Sequence, residues 1–552
     1  MEKRLFLAMI LTALVLVVVP RFFQRPPTPS RSLSIDSSGS AASEPGSKPG
    51  PGAGSPLDSN ARGAVLEAPI PPVSPSGVSA ETTTVTTSTT RYRLTNLGAK
   101  LVGAELTHYR ALTRAGGDVE LSRAGEPLLR YRLAFPQDTI SLDNVAFQTE
   151  QTDGVVTYRA KVRDADLAIA YAVVPDSYVV RVSGRLTGVN EPAKLLIDLP
   201  RGIRSEEADT VEDQRHLAYA YKPVTGNARS ISFKSLDPGE QARYNGPLTW
   251  AVAKNKYFLV GLLTPTGDAP FENIVAVGGA RTSKTATTAA ASIMEPITDG
   301  RFGFEIYAGP QDSRRLVAMG RDFKNANPYG GWLQGVVQPF ATIVMQILLW
   351  LHDTFKLNYG WVLVIFGVTV RIALWPLNQR AMRASLRMQQ IQPQLMEVQN
   401  KHKSNPEKQR AELMRVYAEH NMTPFSPMVG CLPMLLPMPI LFALFFVFQN
   451  TIEFRGVSFL WLPDISLKDP FYIVPVLMGL SMFVLSWIGI RNAPPNPQAK
   501  VMAYFFPVMM TVFFLNFASG LNLYYAVQNL AALPQQWLIA NERAKAAKPK
   551  VT

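Results

Sequence analysis

The sequence predicts a multidomain membrane protein. An all-β sandwich lies outside the membrane and an α-helical membrane domain of five spans follows it. An N-terminal transmembrane anchor precedes both, and a helical hairpin is inserted between the spans. Three observations predict this. Hydrophobicity alternates with a period of two from about Glu81 to Asp312, long apolar runs crowd into the chain after Trp332, and Lys and Arg collect between those runs. The averages of 47% hydrophobic and 18% charged residues, with a net charge of +13, conceal the split.

Met1 to Phe23 has a charged head (Glu2, Lys3, Arg4) and an apolar run from Leu5 to Val19. Pro20, Arg21, Phe22 and Phe23 follow where a cleavable signal would need small residues, so residues 1–24 read as an uncleaved anchor. Residues 25–80 are rich in Pro, Ser, Gly and Ala. They cannot bury enough apolar surface to offset their ordering entropy, which predicts a disordered tether.

The sandwich is expected over residues 81–320. Val156, Tyr158, Ala160 and Val162 share one strand face, and Leu167, Ile169, Tyr171 and Val173 share another across a turn at Asp164-Ala165-Asp166. Tyr178, Val180 and Val182 repeat the pattern, and further strands are expected at Tyr257 to Leu263 and Phe302 to Tyr307. Short strands with Gly, Asp and Asn turns indicate antiparallel pairing. Asp209, Glu212 and Asp213 read as a solvated turn in preference to a glycosidase-like carboxylate pair.

Gly331 to Asp353 is apolar but interrupted by Gln334, Gln338, Pro339 and Gln346. That suits an amphipathic helix lying in the interface, assigned to residues 321–358, better than a span. Residues 359–540 form the five-span core. In its first run, Gly360 to Leu377, the one charge is Arg371. At ~1.5 Å per residue Arg371 lies roughly 16 Å from Gly360 and about 9 Å from Leu377. A guanidinium keeps its proton, so it either snorkels to the nearer headgroups or faces a wet cavity inside the bundle.

Residues 380–423 form the basic hairpin. Ala381, Ala384, Met388, Ile391, Leu395 and Val398 make a heptad seam that Pro393 should kink. Ser404-Asn405-Pro406-Glu407 reads as a stop and a capped restart. Four further apolar runs are Met428 to Phe448, Phe471 to Ile490, Val501 to Phe517 and Leu521 to Ile539. The last two are joined by Ala518-Ser519-Gly520, which makes them antiparallel neighbours. The connection from Thr451 to Pro470 holds only Arg455 and Lys468, whereas the hairpin and the tail 541–552 are rich in Lys and Arg. Both termini therefore lie in the cytoplasm and the sandwich outside.

Some chemistries have no footing here. The single Cys431 excludes a disulfide framework, and the five histidines never reach metal-ligand spacing. No G-x-x-x-x-G-K-[ST] phosphate loop occurs, so ATP hydrolysis by that route is not expected; no cofactor is expected either, and the chain is not read as an enzyme. What remains is polar residues within apolar helices. Pro433, Pro437 and Pro439 free backbone carbonyls that need protein or water, and Asn516, Asn522, Gln528 and Asn529 add side chains that could solvate Arg371 inside the bundle.

The stretches VTVRIALWPLNQRAM, LPMLLPMPILFALFF, DPFYIVPVLMGLSMF, FFPVMMTVFFLNFASGLNLYYAVQN and GGWLQGVVQPF resemble the YidC family of membrane protein insertases. The match covers about the last 220 residues closely, and the anchor, linker and large outer domain resemble the Gram-negative branch. The resemblance implies a periplasmic supersandwich and a hydrophilic groove open to cytoplasm and lipid. In that groove Arg371, with Asn516, Asn522 and Gln528, would receive polar segments of an incoming protein. The client's apolar helix would slide out along Met438, Leu441, Tyr524 and Tyr525. Implied partners are nascent integral membrane proteins, membrane lipids, the Sec translocon, and the ribosome through the basic hairpin and tail, with no specific nucleic acid. Two positions depart from the family's pattern: Pro437 stands where Gln is frequent, and Gly367 where some relatives carry a hydroxyl residue. The competing reading is a secondary transporter that binds a small anion at Arg371.

Overall fold

The computed structural model describes residues 80–546 apart from 153, 190, 282–284, 328–333, 404, 421–437 and 492–496. The N-terminal anchor, nearly all of the linker, the first part of the Met428 to Phe448 run and the end of the basic tail lie outside the described residues. The chain divides into two compact units, one ending at Trp332 and one beginning at Leu333.

The strands of the first unit pair antiparallel, with two short helices, Thr210–Gln214 and Ser313–Ala318, between and after them. A four-stranded sheet runs from Thr82–Thr86 through Thr90–Thr95 and Lys100–Arg110 to Asp118–Glu120. A 14-stranded sheet holds the remaining strands, with Gln241–Lys254 and Phe258–Leu263 near its middle. The period-two pattern is the cause. Val156 and Tyr158 on Val155–Val162 are buried, as are Leu167, Ile169 and Tyr171 on Ala165–Val173 and Val180 and Val182 on Val179–Thr187. Their neighbours Arg159, Lys161, Arg181 and Arg185 are exposed on the opposite face.

The hairpin between the first two of these strands turns one residue earlier than the sequence suggested. Arg163 adopts a left-handed φ of 55°, so Arg163 and Asp164 suffice for the turn, and Ala165 and Asp166 already pair with Val162 and Lys161. Asp213 departs further from expectation. It is buried, accepting from the Asn255 side chain at 3.2 Å and the Lys256 backbone N–H at 3.1 Å, and so braces a loop instead of facing solvent.

Glu295, on Ala289–Pro296, is only 3% exposed. One carboxyl oxygen accepts the Gly303 N–H at 3.4 Å, and the other has no hydrogen-bond partner among the described residues. Burial, reinforced by Asp268 and Glu272, pushes its pKa from 4.5 up to about 8. Between those values the folded chain keeps a proton that the unfolded chain has lost. This carboxyl's contribution to stability is therefore full below pH 4.5 and lost as pH rises through about 8. Thermal melts of the full chain from pH 5 to 8.5 should show a falling transition temperature, and Glu295→Gln should flatten that fall. Parallel slopes for the two chains would refute the assignment.

The second unit is helical. Its helices are α1 (Gln334–Phe355), α2 (Tyr359–Ala373), α3 (Trp375–Lys401), α4 (Pro406–Glu419), α5 (Met438–Asn450), α6 (Ile473–Ile490), α7 (Pro497–Phe514) and α8 (Ser519–Ala546). Among the described residues α6 alone is long and apolar enough to cross a membrane without a break. The chain bends by 117° between α1 and α2, so these two are not one straight span. Helix α1 leaves Ile343, Ile347 and Trp350 exposed at spacings of four and three, an open apolar face along one side of the helix.

Helix α2 starts where the Asn358 side chain accepts the Gly360 N–H at 2.8 Å, and α4 where the Asn405 side chain accepts the Lys408 N–H at 3.1 Å with Pro406 at the first position. Helix α3 continues through Pro393, and Ile391 and Leu395 of its seam are buried. The connection from α5 to α6 is built, not slack. Its Ile465 and Leu467 carbonyls accept the Gly520 and Ser519 N–H groups at 2.9 and 2.6 Å. The Ser458 carbonyl accepts from the Asn358 side chain at 2.9 Å. Glycines permit this approach: a Cβ on Gly360 would strike the Phe459 ring, and one on Gly520 would lie 2.5 Å from the Phe448 ring.

Candidate functional site

Arg371 lies in the last turn of α2, half-buried against α8. Its Nη2 donates to Gln535 Oε1 at 2.7 Å, and Gln535 Nε2 donates onward to the Trp375 carbonyl at 3.0 Å. Among the described residues no carboxylate pairs with Arg371, and its Nε has no hydrogen-bond partner. A cation held by one neutral amide retains most of its capacity to bind an anion.

One turn earlier on α2, Gly367 lets α8 come close, since a Cβ there would stand 3.1 Å from Val527 Cγ1. Gln528 Nε2 donates to the Gly367 carbonyl at 2.9 Å and to the Tyr524 hydroxyl at 3.1 Å. Tyr524, Gln528 and Gln535 thus form one stripe of α8 at spacings of four and seven, facing α2. Asn522 and Asn529 also recur at seven, one residue out of step, and face elsewhere. Asn529 Nδ2 donates to Ser481 Oγ on α6 at 3.1 Å, and Asn522 Nδ2 donates to the Phe514 carbonyl at 3.0 Å.

The structure therefore brings together Arg371 and Gln528, on neighbouring turns of one seam, and adds Gln535, which sequence reasoning missed. Asn516 and Asn522 do not join them. Asn516 is exposed in the turn after α7, and Asn522 is buried near the start of α8. Asn522 and Gln535 are 13 positions apart, roughly 20 Å along the helix. On the expected client surface Leu441 is half-buried on α5, while the Met438 side chain lies outside the described residues. Tyr525 rests against Phe514 with ring centroids 5.6 Å apart. Tyr524 is 1% exposed and packs on Phe366 at 5.9 Å, so it fills the seam and offers no sliding surface. The reason is the α8 period: Tyr524 is four residues before Gln528 and must share its face.

Residues 350–547 match the family model described as 60Kd inner membrane protein, and residues 82–343 match that of the YidC periplasmic domain. Membrane protein insertase YidC of Chlorobium phaeovibrioides is 30% identical over 436 residues, covering 75% of this chain and 73% of the relative. Its namesake from Syntrophus aciditrophicus is 25% identical over 560 residues, covering 98% and 99%. A crystal structure of an active YidC insertase with its first transmembrane domain resolved covers 84% of this chain and 93% of its own, at 19% identity and a TM-score of 0.34.

Proposed function

The chain belongs to the YidC family of membrane protein insertases, and from that membership we propose that the α2–α8 seam is where a client's polar segment is received. The observation that carries the reading is Arg371, a permanent cation beside an apolar bundle, bonded to a neutral amide and to no described carboxylate. Moving a carboxylate through a bilayer centre costs ~3 kcal/mol or more. A fixed cation partway across offsets part of that cost. Release of an apolar helix of ~20 residues into lipid supplies the net drive, with no nucleotide or cofactor.

In this reading five spans carry the work, both termini and the α3–α4 hairpin face the cytoplasm, and the β unit faces the periplasm. Nascent integral membrane proteins are the clients. The Sec translocon is a partner, and the basic hairpin and tail are offered to the ribosome. Leu441, Met438 and Tyr525 border the client's exit into lipid.

Gln535 supplies the test. Gln535→Leu removes the amide that orients the guanidinium but leaves the cation. Gln535→Glu gives Arg371 an internal carboxylate in the place of the client's. In proteoliposomes, Gln535→Glu should lower insertion of a client with an acidic translocated tail at least fivefold, and by more than Gln535→Leu does. A client with a neutral tail should change less than twofold with either variant. Equal effects on both clients would refute an anion-receiving role.

A further inference from the structure

A tight turn within the α5–α6 connection carries an exposed apolar tip. Phe459 and Leu462 exchange backbone hydrogen bonds at 2.9 Å in both directions, leaving Leu460 and Trp461 as the two residues of a tight hairpin turn. Leu460 sits there with a φ of 53°, in the left-handed region that Gly, Asn or Asp would occupy at no cost. Its side chain is 70% exposed. A strained residue that leaves most of its apolar surface in solvent gains little from burial to offset the strain.

The neighbours share this character. Phe471 is 66% exposed, Tyr472 has a φ of 56° and is also exposed, and Trp361 on the first turn of α2 is exposed with its ring edge-on to Phe459 at 5.4 Å. A buried carboxylate holds the group together. Asp469 accepts the Phe471 N–H at 3.0 Å, the Val474 N–H at 2.7 Å and the Trp461 Nε1–H at 3.4 Å. Trp461 is thereby tied to the first turn of α6, the helix that is long and apolar enough to span. Lys468 is exposed on the same connection.

We propose that this tip is a lipid-interface anchor: Leu460, Trp461 and Phe471 enter the headgroup layer at the end of α6, with Lys468 among the phosphates. Continuity with α6 identifies the occupant. The apolar tip adjoins a helix whose own exposed residues Val476, Leu477 and Leu480 must meet acyl chains, so the tip lies at the depth where that helix leaves them. Trp, Tyr and Lys are the side chains that settle at this depth, each with an apolar body and a polar end. The left-handed turn aims Leu460 away from the protein and keeps the anchor from folding back.

The test uses the full chain in phospholipid nanodiscs, with Cys431→Ser removing the native thiol and an environment-sensitive fluorophore on Leu460→Cys. Thr187→Cys, exposed on a strand of the β unit, is the aqueous control. At Leu460→Cys, quenching by a lipid spin-labelled near its headgroup should exceed that at the control at least threefold. Quenching by aqueous iodide should be at least threefold weaker than at the control. Control-like quenching at both quenchers overturns the proposal, as does stronger quenching by a spin label deep in the acyl chain than by the shallow one. Leu460→Gly, which relieves the left-handed strain, separates anchoring from folding. It should melt no lower than the parent in detergent, and a lower melting temperature would make the turn structural and overturn the proposal.

Discussion

With Arg371→Ala, insertion of a client bearing an acidic translocated tail falls at least tenfold in proteoliposomes, while a client with a neutral tail stays within about twofold. The magnitude follows from what is removed. A charge-assisted hydrogen bond contributes about 1.5–3 kcal/mol, and ~1.4 kcal/mol is a factor of ten. The specificity follows from geometry, because the guanidinium is held by a neutral amide, Gln535, and among the described residues no acid competes for it. Arg371→Lys should recover only part of the loss. An ammonium on a flexible stem cannot hold Gln535 and a carboxylate with the planar fork that the guanidinium offers both. Equal loss for the two clients would mean that Arg371 holds the bundle together and receives nothing.

The second large effect is on stability. Gly520→Val should lower the thermal transition of the purified chain in detergent by several degrees, equivalent to about 3 kcal/mol. The glycine N–H bonds the Ile465 carbonyl at 2.9 Å, and a Cβ would stand 2.5 Å from the Phe448 ring and 3.1 Å from that same carbonyl. The ring can shift but the backbone oxygen cannot, so the connection must part from α8. Fluorescence of a buried label, or protease sensitivity of residues 451–470, would report the parting. An unchanged transition would show that this close packing carries no weight.

Much of this was written in local patterns. Alternation at Val156, Tyr158, Leu167 and Ile169 gave the strands and their buried face, because period two admits one assignment of inside and outside. Asn405-Pro406 gave the start of α4, because a side-chain cap is a matter of three adjacent residues. Failures came where distant segments decide. Asp213 looked like a solvated turn until Asn255 and Lys256 closed over it. Asn522 and Gln528 looked equivalent on an apolar run, yet six positions along a helix place them on different faces, and only α2 and the Phe514 carbonyl distinguish the two. Gln535 carried a usable signal, its spacing of seven from Gln528, which the apolar-run reading passed over. Leu460 gave none, since a left-handed leucine is invisible in sequence.

The glycine contacts at Gly360 and Gly520 have a mechanical consequence. At that end of the bundle the α5–α6 connection holds α8 by two backbone hydrogen bonds and α2 by the Asn358 side chain, with a ring packed on a glycine of each helix. At the far end, α3 and α8 are linked by Arg383 and Glu542, a solvated ion pair that thermal motion opens freely. The packed glycine contacts part only at a cost in buried surface, whereas the ion pair is exposed, so separation of α3 from α8 is expected to begin beyond the Gln535–Trp375 hydrogen bond, at the Arg383–Glu542 end.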